Sequence, residues 1–91
     1  MYMYGRRNRN MRRFIVYRPN PPENYVSEGY ALPPTEIQLE GVVFTDGTCA
    51  IRWRTEHKST ALWDSFDSFM KIHGHPEYGT IVKWLDEEEV T

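Results

Sequence analysis

Residues 41–53 read Gly-Val-Val-Phe-Thr-Asp-Gly-Thr-Cys-Ala-Ile-Arg-Trp. Two runs rich in β-branched and aromatic side chains flank Asp46-Gly47, and Asp-Gly is the dipeptide that best accepts the positive φ angles of a tight hairpin turn. A two-residue turn pairs Phe44 with Cys49, Val42 with Ile51 and Glu40 with Trp53. One face then collects Val42, Phe44, Cys49, Ile51 and Trp53; the other receives Val43, Ala50, Arg52 and Arg54, a side suited to solvent or a partner. A three-residue loop with Gly47 as a bulge moves the pairing by one, setting Val43 against Cys49 and Leu39 against Trp53. The first register is the expected one because it buries Val42 and Phe44 together. A bulge at Gly41 turns Ile37 and Leu39 toward the core.

Downstream, Ser59 to Trp63 is short and β-prone and adds a third antiparallel strand to the hairpin. Asp64 or Ser65 then offers an N-cap oxygen, and Asp67 complements the positive end of a helix dipole. Phe66, Phe69, Met70 and His73 fall at i, i+3, i+4 and i+7, one face of a Ser65–His73 helix. Gly74 suits a left-handed stop, and Pro76 blocks continuation. Thr80 to Asp86 alternates as a final strand with Val82 and Trp84 on one side.

Upstream, the composition changes abruptly. Every acidic residue lies at or beyond Glu23, whereas six of the eleven Lys and Arg residues lie within the first eighteen positions. Residues 1–22 therefore carry +6 and the remainder −8, for a net charge of −2. Like charges this dense favour solvent over a core. We therefore expect residues 1–12 to form a flexible basic arm and residues 13–91 a single small domain, with a β-prone run from Phe14 to Tyr17. Residues 19–35 hold five of the six prolines, which predicts an extended connection with little sheet pairing. The expected fold is α+β: a small, mostly antiparallel sheet in the order β-β-β-β-α-β, with one helix packed on one face.

A chain of 91 residues builds one core, and its stability leans on large aromatic rings. The single cysteine excludes an internal disulfide and fits a reducing compartment. The longest apolar runs are about four residues, far short of a membrane span, and no apolar stretch follows the N-terminal charges as in a secretion signal.

Gly41-Val42, Phe44, Asp46-Gly47-Thr48, Arg52-Trp53, Ser59-Thr60, Trp63, His73-Gly74-His75, Gly79-Thr80 and Trp84-Leu85-Asp86 together resemble a family of small, mostly uncharacterised proteins encoded by phages and prophages of actinobacteria. The resemblance spans roughly residues 40–86. It implies a phage origin and a bacterial cytoplasm as the place of work, and carries no catalytic residue across.

Several groups bear chemistry-capable side chains. His73, His75 and Glu77 are ordinary zinc ligand types, but histidines around a helix stop serve more simply as C-terminal dipole partners; no metal and no cofactor is expected. Cys49 falls on the buried hairpin face, where it acts as a small hydrophobe rather than a nucleophile. No nucleophile elbow, phosphate loop or zinc-protease motif is present, so catalysis is not expected. Two binding functions remain. The first is a bacterial host protein docking on the Arg52/Arg54 face or a sheet edge, with the acidic domain favouring a basic partner patch; a sheet edge also offers a route to a homodimer. The second is nucleic acid held by Arg6, Arg7, Arg9, Arg12 and Arg13. Five neutralised phosphates on duplex DNA would give a log-affinity slope against log salt of about −4.5.

Overall fold

A computed structural model describes residues 10–86. Five strands, β1 (Arg12–Tyr17), β2 (Ile37–Val43), β3 (Cys49–Trp53), β4 (Thr60–Trp63) and β5 (Ile81–Trp84), form one sheet. Helix α1 (Phe66–His73) and a short 3-10 turn (Pro76–Tyr78) lie between β4 and β5. The spatial order is β4-β3-β2-β1-β5, and every neighbouring pair is antiparallel. The chain thus adopts the expected α+β class and the expected sequence of elements. Because β4 and β5 are the two edges, α1 must cross from one side of the sheet to the other, and in doing so it covers one face.

The pairing decides which side chains that face receives. Phe14 and Val16 of β1 stand beside Gly41 and Leu39 of β2, and Leu39, Gly41 and Val43 stand beside Trp53, Ile51 and Cys49 of β3. On the other flank Phe14 and Val16 meet Trp84 and Val82. Phe14, Val16, Leu39, Cys49, Ile51 and Phe69 are the buried centre, with Val43, Trp53, Trp63, Phe66, Met70, Val82 and Trp84 packed around it. The Phe14 ring lies 5.1 Å from Phe66 in an edge-to-face arrangement and 5.1 Å from Trp84, the geometries that aromatic quadrupoles prefer. Ser65 caps α1 by accepting the Ser68 amide at 3.0 Å, and Phe69 is its fully buried residue.

The hairpin takes the three-residue loop, not the expected two-residue turn. The Phe44 amide donates to the Thr48 carbonyl at 2.8 Å, and the Gly47 amide donates to the Phe44 carbonyl at 2.9 Å. Gly47 has φ +93°, and the Asp46 carboxylate accepts both the Thr48 amide (2.9 Å) and its hydroxyl (2.7 Å). Val43 therefore pairs with Cys49 and Leu39 with Trp53. The reason lies at the far end of β2. Without a bulge at Gly41 the two-residue turn would turn Glu40 toward the core beside Trp53, whereas the realised register puts Leu39 there by uninterrupted pairing and leaves Glu40 exposed. Phe44 consequently ends 38% exposed.

Three further expectations change. The bulge in β2 lies at Gln38, where the β1 register slips between Val16 and Tyr17, and not at Gly41. The buried Gln38 side chain satisfies itself on Leu32, accepting its amide at 2.9 Å and donating to its carbonyl at 2.8 Å. Gly74 keeps helical angles (φ −68°), and the left-handed residue is His75 (φ +33°). The stretch after Pro22 is a run of turns rather than an extended strap: the amides of Tyr25, Glu28 and Tyr30 donate to the carbonyls of Pro22, Asn24 and Tyr25. Proline's fixed φ is compatible with opening a turn as well as with extension, and the Asn24 side chain holds this one closed by donating to Glu28 at 2.8 Å.

Gly41 is required by Phe14. A Cβ at position 41 would fall 2.6 Å from Cε1 and 2.7 Å from Cε2 of that ring, inside van der Waals contact, and both strands are fixed by the sheet. Gly41→Ala is therefore expected to destabilise the fold by about 1–3 kcal/mol, as overpacking does, read as a fall in the urea midpoint. A companion Gly47→Ala change, where nothing lies within 4 Å of the added carbon, costs only the strain of a positive φ, of order 1 kcal/mol.

Candidate docking face

The side of the sheet away from α1 carries two rows of side chains. One runs Leu62, Ala50, Val42, Arg13 through neighbouring register partners of β4, β3, β2 and β1. The second spans all five strands as Thr60, Arg52, Glu40, Ile15, Lys83. Leu62 is 79% exposed, and Arg52, Glu40, Thr60 and Lys83 are exposed as well. Ile15, by contrast, is buried at the middle of the second row between Glu40 and Lys83. The small Ala50 leaves a shallow hollow of about 240 Å³ bounded by Glu40, Val42, Arg52 and Thr60. An apolar strip edged by guanidinium groups is a common form of protein contact surface.

The electrostatics of this face differ from those of the chain as a whole. Arg13 grips Asp86 with two side-chain bonds, Nη2 to Oδ1 at 2.8 Å and Nε to Oδ2 at 3.0 Å, and its amide donates to Oδ2 at 2.8 Å. Arg54 reaches Glu40 at 3.1 Å. Arg52 donates to the Thr60 hydroxyl at 3.0 Å, and no carboxylate among the described residues pairs with it or with Lys83. The face is thus cationic on balance within a domain that is acidic on balance.

Arg52 and Arg54, the residues expected to meet a partner, therefore stand on the uncovered side. The arm arginines divide. Arg6, Arg7 and Arg9 lie outside the described residues. Arg12 and Arg13 belong to β1, so the strand begins one residue before the expected domain boundary. Arg12 holds its guanidinium 4.0 Å from the centre of the Trp84 ring, and Arg13 is the partner of Asp86.

Arg18 is the residue that sequence reading passed over. Only 8% exposed, it donates from Nη2 to the His73 carbonyl at the end of α1 and lies 5.4 Å from the ring centres of both Trp53 and Tyr78. A cation suits the carbonyl end of a helix dipole. Burial lowers its pKa, opposed by Tyr78 and Glu77, and the guanidinium keeps its charge throughout. The signal was available in the alternation Phe14, Val16, Arg18, which sets all three on one side of the chain.

The histidines are occupied separately. His75 Nδ1 meets Glu77 Oε2 at 3.0 Å, and its ring stacks on Tyr78 with centres 4.4 Å apart. The His73 ring instead packs edge-on against Trp53 and Trp63 at 5.2 and 5.5 Å. Among the described residues no three His, Cys, Asp or Glu side chains converge as metal ligands. Cys49 is 1% exposed, and burial pushes its thiol up to about 11, so it stays protonated at neutral pH.

These environments make stability depend on pH in two steps. Burial first, then Arg18 and His75, lower the His73 pKa below its ordinary 6.5, so the unfolded state takes up a proton before the folded state does. Stability accordingly declines as pH falls below 6.5. The Arg13 hydrogen bonds hold Asp86 at about 2 against an ordinary 3.8; its contribution is complete above 3.8 and lost as pH falls through about 2. Asp86→Asn should reduce the slope of the urea-midpoint profile between these last two values and leave the upper step unchanged; Asp46 and Glu77, held below their ordinary values chiefly by hydrogen bonds with Thr48 and His75, keep part of the acid-side slope. Equal slopes in both proteins would mean that the Arg13 pair contributes nothing.

No curated protein and no solved structure matches the chain. A family model described as Acb5 phage protein matches residues 37–86, from the first residue of β2 to the carboxylate that holds Arg13, more than half of the chain. The chain belongs to the Acb5 phage protein family.

Proposed function

We propose that this phage-family protein works in the cytoplasm of an actinobacterial host cell by binding a host protein and modulating or inhibiting it, without catalysis of its own. The supporting observation is the sheet face that α1 leaves uncovered: exposed Leu62 beside Ala50 and Val42, with Arg52 in the neighbouring row and Lys83 at the far end of that row. Its charge balance fits an acidic patch on the partner, which replaces the basic patch that the chain's overall charge suggests. Opposite potentials steer encounter and fix orientation, while the central apolar contacts supply most of the affinity.

Nucleic-acid binding is the weaker reading. Arg12 and Arg13 are engaged by Trp84 and Asp86, which leaves Arg6, Arg7 and Arg9 of the five. Three phosphate contacts would give a salt slope of about −2.7 on duplex DNA.

Immobilised full-length protein and its Arg52→Glu/Lys83→Glu variant, exposed in parallel to host lysate, test the proposal. One stoichiometric, salt-eluted protein should be retained by the wild type and bound roughly tenfold more weakly by the variant, with unchanged melting of the variant itself. No stoichiometric partner, or equal retention by both, defeats the proposal. A salt-sensitive DNA complex with the slope given above would transfer the assignment to the second reading.

A further inference from the structure

The two edges of the sheet are not equivalent. β5 carries Lys83 in mid-strand, and a charged side chain of this kind discourages another strand from adding at an edge. β4 reads Thr60-Ala61-Leu62-Trp63, with no charge and no proline. Among the described residues no strand pairs with its outer side.

The hydrogen-bond pattern identifies which of its backbone groups are unpaired. The Trp53 amide donates to the Ser59 carbonyl at 2.9 Å. Antiparallel partners alternate between bonded and non-bonded pairs, and the register sets Ile51 opposite Ala61 and Cys49 opposite Trp63. Ala61 and Trp63 therefore spend their amides and carbonyls on β3, while those of Thr60 and Leu62 point away from the sheet. The same alternation holds on the other side of β3, where Phe44 bonds Thr48 and Arg54 bonds Gln38. Leu62 thus combines an unpaired backbone with a side chain that is 79% exposed.

We propose that β4 pairs with β4 of a second copy of this chain, antiparallel and centred on Leu62, joining two five-stranded sheets into one. A twofold axis at that position makes Leu62 face Leu62 of the second copy as a bonded pair and covers the most exposed large apolar side chain of the described residues. The same register sets Thr60 opposite Asp64 of the second copy. Arg52 already donates to the Thr60 hydroxyl, so its guanidinium lies one side chain from that exposed carboxylate, and the symmetry repeats the attraction on the other side of the axis. This complementarity of Arg52 with Asp64 is what selects a second copy over an unrelated strand. Thr48 and Phe44 border a hollow of about 430 Å³ beside Leu62 and Asp64, which leaves room for the second copy's side chains. A four-residue edge buries little area, so the dimer belongs to the weak, concentration-dependent class. The inference does not depend on a host partner.

Sedimentation velocity over a dilution series of the full chain is the test. The wild type should pass from dimer to monomer at micromolar concentrations. Leu62→Lys sets two like charges at the axis and should raise the dimer Kd by about a hundredfold or more, with an unchanged melting curve at concentrations where the wild type is monomeric, because position 62 is exposed in the monomer. Arg52→Asp and Asp64→Arg should each weaken the dimer by about tenfold, and the charge-exchanged double variant should recover most of the loss. A chain that stays monomeric up to about 1 mM, a dimer indifferent to Leu62→Lys, or a double variant no better than its singles would overturn the proposal.

Discussion

The contact between the Phe14 ring and the bare backbone of Gly41 is the constraint on which the rest of the core is arranged. A phenyl ring that lies flat against a strand occupies the space where a neighbour's Cβ would stand, so only glycine can be its register partner. With Gly41 fixed under Phe14, alternation sends Leu39 and Val43 to the same side. The ring then provides the surface on which Phe66, Phe69 and Trp84 collect. One strand thereby binds the helix to a sheet whose two edges that helix must connect. The family match begins at Ile37, beyond β1, yet β1 sits between β2 and β5. Without it β5 would have no partner in the sheet, and Gly41 would leave a gap.

The distribution of charge along the chain looked like the signature of a detached arm, and the structure gives a more divided account. Arg12, Arg13 and Arg18 are spent within the domain, each on a different kind of partner: an indole face, a carboxylate, and a helix end flanked by two rings. Guanidinium suits all three because it is planar, always charged and less strongly hydrated than an ammonium group. Arg12 and Arg18 both bury an Nε without an acceptor among the described residues, and Arg18, only 8% exposed, is the costlier of the two. The aromatic faces on either side and the carbonyl of His73 offset that desolvation. The basic excess of residues 1–22 is thus in part the means by which the N-terminal strand is held to an acidic domain.

Local signals carried most of the architecture. The Ser65 cap, the i, i+3, i+4, i+7 face of Phe66, Phe69, Met70 and His73, and the alternation of Val82 and Trp84 each depend on neighbours within a few residues, and each was legible. The hairpin register was not, because Asp46-Gly47 accommodates either a two-residue or a three-residue loop and the choice is made at Glu40, six positions upstream. Burying Val42 with Phe44 requires a bulge at Gly41 to bring Leu39 inward and keep Glu40 out, whereas the three-residue loop achieves both with continuous pairing of Leu39 to Val43. The turns after Pro22 were hidden for a similar reason: proline fixes φ but not ψ, and the turns are closed by backbone bonds from Tyr25, Glu28 and Tyr30, joined by the Asn24 side chain donating to Glu28. On the candidate face, Arg52 and Arg54 could be placed by alternation alone. The pairing of Arg54 with Glu40 could not, since it follows from the register.

A half-covered sheet in so small a domain is itself informative. A second helix on the far side would bury Val42, Ala50 and Leu62 and add stability, and a chain this short has a modest core to begin with. The far side instead keeps an apolar strip narrow enough to tolerate water, bounded by charges whose own partners are incomplete. Ile15 is already shielded within it, so the centre of the sheet is protected from solvent without a covering layer. What remains exposed lies toward β4, away from Lys83 and next to the backbone groups that no neighbour among the described residues satisfies. Exposed Leu62, the outward amides of β4 and the guanidinium of Arg52 coincide at one corner of the sheet, and each gains from the same event: contact with a complementary surface that brings its own strand edge and its own carboxylate.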